Sequence, residues 1–71
     1  MHERVERAIA AIVPGEVIEM PAGRRVQVVP MPDGTICRMG HRIAVRNCQT
    51  ARLSYIDAVA LQRLKDGKRW R

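Results

Sequence analysis

Apolar residues recur every three to four positions at the start of the chain. Val5, Ala8, Ile9, Ile12 and Val13 fall on one face of a helix. Glu3 and Arg7 stand four residues apart on the outer side, where opposite charges support a helical turn. Pro14-Gly15 ends the segment, because proline disfavours helix at the residue before it and glycine is a helix breaker.

The pattern then shortens to alternation. The flanks Val17-Ile18-Glu19-Met20, Arg25-Val26-Gln27-Val28-Val29 and Thr35-Ile36-Cys37-Arg38 are rich in β-branched residues. Between them Met-Pro-x-Gly occurs twice, at Met20-Pro21-Ala22-Gly23 and Met31-Pro32-Asp33-Gly34. Proline presets the first turn position and glycine accepts positive φ at the last, which suits three-residue hairpin loops. A loop at residues 21–23 puts Ile18 opposite Val26 on one face and Glu19 opposite Arg25 on the other.

A further strand at about Arg42 to Arg46 follows Gly40-His41. A loop at residues 40–42 groups Cys37 and Met39 with Ile43 and Val45, and Arg38 with Arg46 on the opposite face. A strand running straight through Gly40 puts Arg38, Arg42 and Arg46 on one side. Either register raises a row of arginines on one sheet face. Such a row serves as a polyanion contact or as a charged edge that blocks unwanted pairing.

Helical spacing returns near the end. Ser54 and Asp57 match a capping box, and Leu53 with Ala58 matches a hydrophobic staple, which predicts a helix over 55–66. Ile56, Val59, Ala60 and Leu64 form its expected buried stripe, and Gly67 its C-terminal stop. Arg63, Lys65 and Lys68 crowd the last turn, where cations complement the helix dipole. The expected fold is α+β: an N-terminal helix, a three- to four-stranded antiparallel β-meander, and a C-terminal helix with a basic tail. Residues 1–71 form one small domain, with 66–71 as the tail.

Composition adds that the core is aliphatic. Tyr55 and Trp70 are the only aromatics among 71 residues, against six Ile, eight Val and three Leu. A chain this short buries little surface, so stability is thin and a homodimer or a partner would add to it. The longest apolar run, Ala8 to Val13, is too short for a signal peptide or a membrane span, so a cytoplasmic protein is expected.

Charge changes the picture more. Residues 1–37 carry four Arg against five acids, a net of −1, whereas residues 38–71 carry nine bases against Asp57 and Asp66, a net of +7. A one-sided basic surface attracts polyanions. Arg outnumbers Lys eleven to two. Guanidinium forks grip phosphate, but a GC-rich genome produces the same bias, so this ratio decides nothing. The expected contacts are Arg38, Arg42, Arg46, Arg63, Lys65, Lys68, Arg69, Trp70 and Arg71. In the tail, Trp70 stacks on a base among cations, folds back onto the core, or anchors in a partner's acidic pocket.

Metal and catalytic readings lack the right residues. Cys37, His41 and Cys48 do not have zinc-knuckle spacing, and His2 is the sole candidate for a fourth ligand. Ser54 is the only serine and is assigned as a cap, no carboxylate pair is placed for acid–base work, and no Gly-rich phosphate loop occurs. No enzyme activity, cofactor, metal or internal disulfide is expected.

The helix–meander–helix order resembles the double-stranded RNA-binding domain, which reads RNA shape through basic residues at its second helix. The glycine and paired lysines that open that helix in the family are replaced here by Ser54-Tyr55-Ile56-Asp57. The short basic profile also looks like the accessory proteins of phages and mobile elements, anti-CRISPR proteins among them. Two functions are expected on these grounds. The first is a binding module for nucleic acid or an acidic, nucleic-acid-handling complex. The alternative is an inhibitor or adaptor that uses the same face against a host protein. A structural subunit of a larger particle is a third.

Overall fold

A computed structural model of the chain describes residues 3–67. It is α+β. Helix α1 (Glu3–Ala10) precedes strands β1 (Val17–Glu19), β2 (Arg25–Val28), β3 (Arg38–Met39), β4 (Arg42–Asn47) and β5 (Leu53–Asp57), and helix α2 (Ala58–Gly67) comes last. On α1, Ala8 is buried and Val5 and Ile9 half-buried, and Ile12 just past its end is buried too, so four of the five predicted stripe positions face inward. Val13 is exposed because regular helix stops at Ala10, short of Pro14, and the chain leaves through a tightened turn in which the Ile12 amide donates to the Ile9 carbonyl.

Strand β4 organises the sheet. Along one edge its residues 42–46 pair antiparallel with all of β5. Along the other edge it pairs with β2 through residues 45–47 and with β3 through residues 42–43. β2 and β3 therefore lie end to end on the same side, and β1 completes the sheet outside β2. Residues 30–36 loop away from the ladder and return through a Pro30–Ile36 bridge. The first hairpin has the predicted register, Ile18 opposite Val26 and Glu19 opposite Arg25, around a three-residue turn at 21–23 with Gly23 at φ +77°.

Two registers differ from expectation. The β3–β4 turn uses only Gly40 and His41, with Met39 opposite Arg42 and Arg38 opposite Ile43. Gly40 takes φ +60°, as the first position of a II′-type hairpin turn requires. This turn is one residue shorter than a loop at 40–42, and one residue inverts every side chain that precedes it. Arg38 consequently sits on the face of Ile43, opposite to Arg42 and Arg46, and the three arginines form no single row.

The second correction concerns residues 53–57, which form β5 rather than the start of the last helix. Ser54 pairs with Val45 and caps nothing; Asp57 caps α2, its Oδ1 accepting from the Val59 and Ala60 amides at 2.9 and 3.2 Å. The edge of β4 offers five residues of ladder to a segment containing Tyr55 and Ile56, and Asp57 is as good a cap as serine. The later start turns the helix. Ala58 and Leu61 are its fully buried residues, Val59 and Leu64 are half-buried, and Ala60 is exposed.

Ala8, Ile12, Ile18, Val26, Val28, Ile43, Val45, Ala58 and Leu61 make one aliphatic cluster. The alternation of β1, β2 and β4 sends these strand residues to the side where α1 and α2 pack against each other. The result is a slab of 32 × 31 × 16 Å: one helical layer on one curled sheet.

Candidate nucleic-acid interface

The same alternation sends a second set of side chains to the sheet face opposite the helices. The register lines up Val17, Gln27, Arg46 and Leu53 across β1, β2, β4 and β5. Two residues back along β4 on this face, Ala44 stands opposite Tyr55; two further back, Arg42 stands between Met39 and Asp57. Ala44 is only 3% exposed yet lies outside the core cluster. Its backbone is gripped by Val29 and Cys37, both half-buried, on the side away from Tyr55. Around it the face is open: Tyr55 is 45% and Leu53 59% exposed, and Val17 and Met39 are exposed as well.

Arg42 and Arg46 occupy the two positions diagonal to Tyr55, within reach of an aromatic side chain. Asp57, the cross-strand neighbour of Arg42, directs its carboxylate to the α2 amides instead. Neither guanidinium makes an ion pair or hydrogen bond among the described residues. Both are therefore available to an outside anion.

The other expected contacts divide differently. Arg38 reaches across to α1 and forms a fork with Glu6, Nη1 to Oε1 at 3.3 Å and Nη2 to Oε2 at 3.0 Å, while Nε and Nη2 donate to the Gly40 carbonyl. That pairing clamps α1 to the β3–β4 turn. Lys65 Nζ donates to the Ala11 carbonyl at 2.7 Å and to Glu16 Oε2 at 2.8 Å, half-buried between α2 and the end of α1. There it neutralises the negative end of the α1 dipole. Arg63 is exposed on α2. Lys68, Arg69, Trp70 and Arg71 lie outside the described residues, as does His2.

Sequence reasoning misses Tyr55 because it assigns residues 55–66 to a helix. The available signal is the β-rich run Leu53-Ser54-Tyr55-Ile56 ahead of Asp57, an equally good cap. Cys37 is half-buried, Cys48 exposed, and both are free. Among the described residues no group of three His, Cys, Asp or Glu side chains is placed to hold a metal, and no helix is long and apolar enough to cross a membrane. Asp33 sits in the tip of the 30–36 loop, its carboxyl held below the usual range first by the Thr35 hydroxyl and then by the Thr35 amide. No protein-family model, curated protein or solved structure matches this chain.

Proposed function

We propose that this chain is a small non-enzymatic binding module that contacts nucleic acid, or a complex that handles it, through basic residues of its second half. The observation that carries the reading is the pair Arg42 and Arg46, unpaired among the described residues on a helix-free sheet face beside an exposed tyrosine. Guanidinium groups that neutralise phosphates give sequence-independent, salt-sensitive affinity. Arg38 and Lys65 contribute to the fold instead, since their donors are engaged by Glu6, Gly40, Glu16 and Ala11.

A second reading is a protein-binding inhibitor or adaptor. It is favoured by Val17, Leu53 and Met39 on the same face, because exposed aliphatics beside Tyr and Arg also compose protein interfaces. Labelled DNA and RNA titrated across salt separates the two. Binding should weaken with salt, and the double change Arg42→Gln/Arg46→Gln should flatten the log–log slope by about 1.4 on single strands, or about 1.8 on duplex. Absence of any nucleic-acid affinity at physiological salt, with the same double change abolishing capture of one partner protein, would replace this reading with the second.

A further inference from the structure

Within that nucleic-acid reading, we infer that Tyr55 is a stacking platform for an unpaired base, and that the polymer this face takes is single-stranded. The inference rests on the register around Ala44. The residue directly across the ladder from Tyr55 is the smallest on β4, so no tall side chain stands against the ring from that strand. The two residues diagonal to it are arginines with unengaged guanidinium groups. Four residues of extended chain separate them, about 13 Å at ~3.3 Å per residue. A base lying on the ring would have its flanking phosphates within reach of both forks, so one face supplies the stacking surface and the counter-charge together. Leu53 stands two residues before Tyr55 on the same face, about 7 Å away along the strand, and offers an apolar shelf to the next base.

Duplex fits this face poorly. The major groove admits a helix or a two-stranded ribbon. Here the reading residues sit on β4 and β5 of a broad face on which β2 flanks β4 and β1 flanks β2, so the face cannot enter a groove. Duplex bases are also stacked inside and present no free ring to Tyr55. Duplex would meet only the arginines, at its backbone.

Wild type, Tyr55→Phe, Tyr55→Leu and Tyr55→Ala are each titrated with labelled oligo(dT), oligo(U) and a mixed-sequence duplex, with folding checked by circular dichroism. The leucine variant keeps apolar bulk on β5 should alanine unfold it. Tyr55→Leu and Tyr55→Ala should weaken single-strand binding about five- to a hundred-fold, leave duplex binding within about twofold, and leave the salt slope unchanged. Tyr55→Phe should bind as wild type does. Equal losses on duplex and single strands, or a leucine variant equal to wild type, would overturn the stacking assignment; a salt slope that flattens in Arg42→Gln/Arg46→Gln, titrated alongside, would leave the broader nucleic-acid reading standing. A wild-type protein that binds none of the three probes overturns both.

Discussion

The start of α2 decides where Tyr55 lies, and one pair of substitutions tests it. Asp57 Oδ1 accepts from two backbone amides, Val59 at 2.9 Å and Ala60 at 3.2 Å. Losing a capping side chain costs about 0.5–2 kcal/mol, and a negative charge at a helix N-terminus contributes about 0.3–1 kcal/mol. Asp57 is exposed, so solvent screens the charge and the sum stays near the middle: about 1–2 kcal/mol for Asp57→Ala. In a domain of this size each kcal/mol moves the melting temperature by about 4–8 °C. Ser54 is exposed on β5 with no capping bond, so Ser54→Ala should stay within about 0.5 kcal/mol. Asp57→Asn keeps the acceptor and should fall between wild type and Asp57→Ala. Thermal melts and urea titrations of the three variants, followed by far-UV circular dichroism, give the comparison. The opposite ranking, with Ser54→Ala costly and Asp57→Ala silent, would start the helix at residue 55. Tyr55 would then leave the sheet face, and the stacking site with it.

The packing sets three further outcomes. Leu61 is fully buried in the core, so Leu61→Ala should cost about 2–5 kcal/mol in urea unfolding, clearly more than Leu64→Ala at the half-buried rim; the reverse order would place the buried stripe of α2 elsewhere. Lys65→Met should cost about 1–3 kcal/mol, strongly coupled to Glu16→Gln in a double-mutant cycle, because two charge-assisted bonds to Glu16 and Ala11 are lost; it should leave the nucleic-acid salt slope untouched, and a flattened slope would make Lys65 a phosphate contact. The Asp33 carboxyl should titrate below the usual 3.8 by NMR and return towards it in Thr35→Val, which removes the hydroxyl that is the larger cause. Because its folded value is depressed, its contribution to stability is present above the unfolded value and is lost as pH falls through the folded one.

The first hairpin is readable in full because two local rules agree. The Met-Pro-Ala-Gly turn sets a three-residue loop, and that loop brings Ile18 onto Val26 and Glu19 onto Arg25, apolar with apolar on one face and acid with base on the other. Most of the first helical stripe is readable from its single periodicity, although regular helix stops at Ala10, ahead of Pro14, and leaves Val13 exposed. The last third of the chain is harder because two rules compete. Leu53-Ser54-Tyr55-Ile56-Asp57 satisfies a capping box as written, and a local reading favours helix. What makes it a strand is hairpin pairing with β4, the strand just before it, which the capping-box rule does not weigh; β4 itself starts at the Gly40-His41 turn.

That turn also explains why the charge split points to the second half of the chain without sorting its members. Counting bases treats Arg38, Arg42, Arg46 and Lys65 alike. Their roles separate only when parity and long-range partners are known: Arg38 falls on the helix side, where Glu6 meets it, and Lys65 falls where α1 ends and Glu16 turns back. Both acids belong to the negatively charged first half. Part of the segregation of charge along the sequence is thus an arrangement for folding one half onto the other, with Glu6 offsetting the still exposed Arg38 and Glu16 the half-buried Lys65. Of the bases that remain, Arg42 and Arg46 beside Tyr55 are those a polyanion would meet on the helix-free sheet face. Residue type places charge in a chain; strand register decides whether that charge holds the protein together or faces outward.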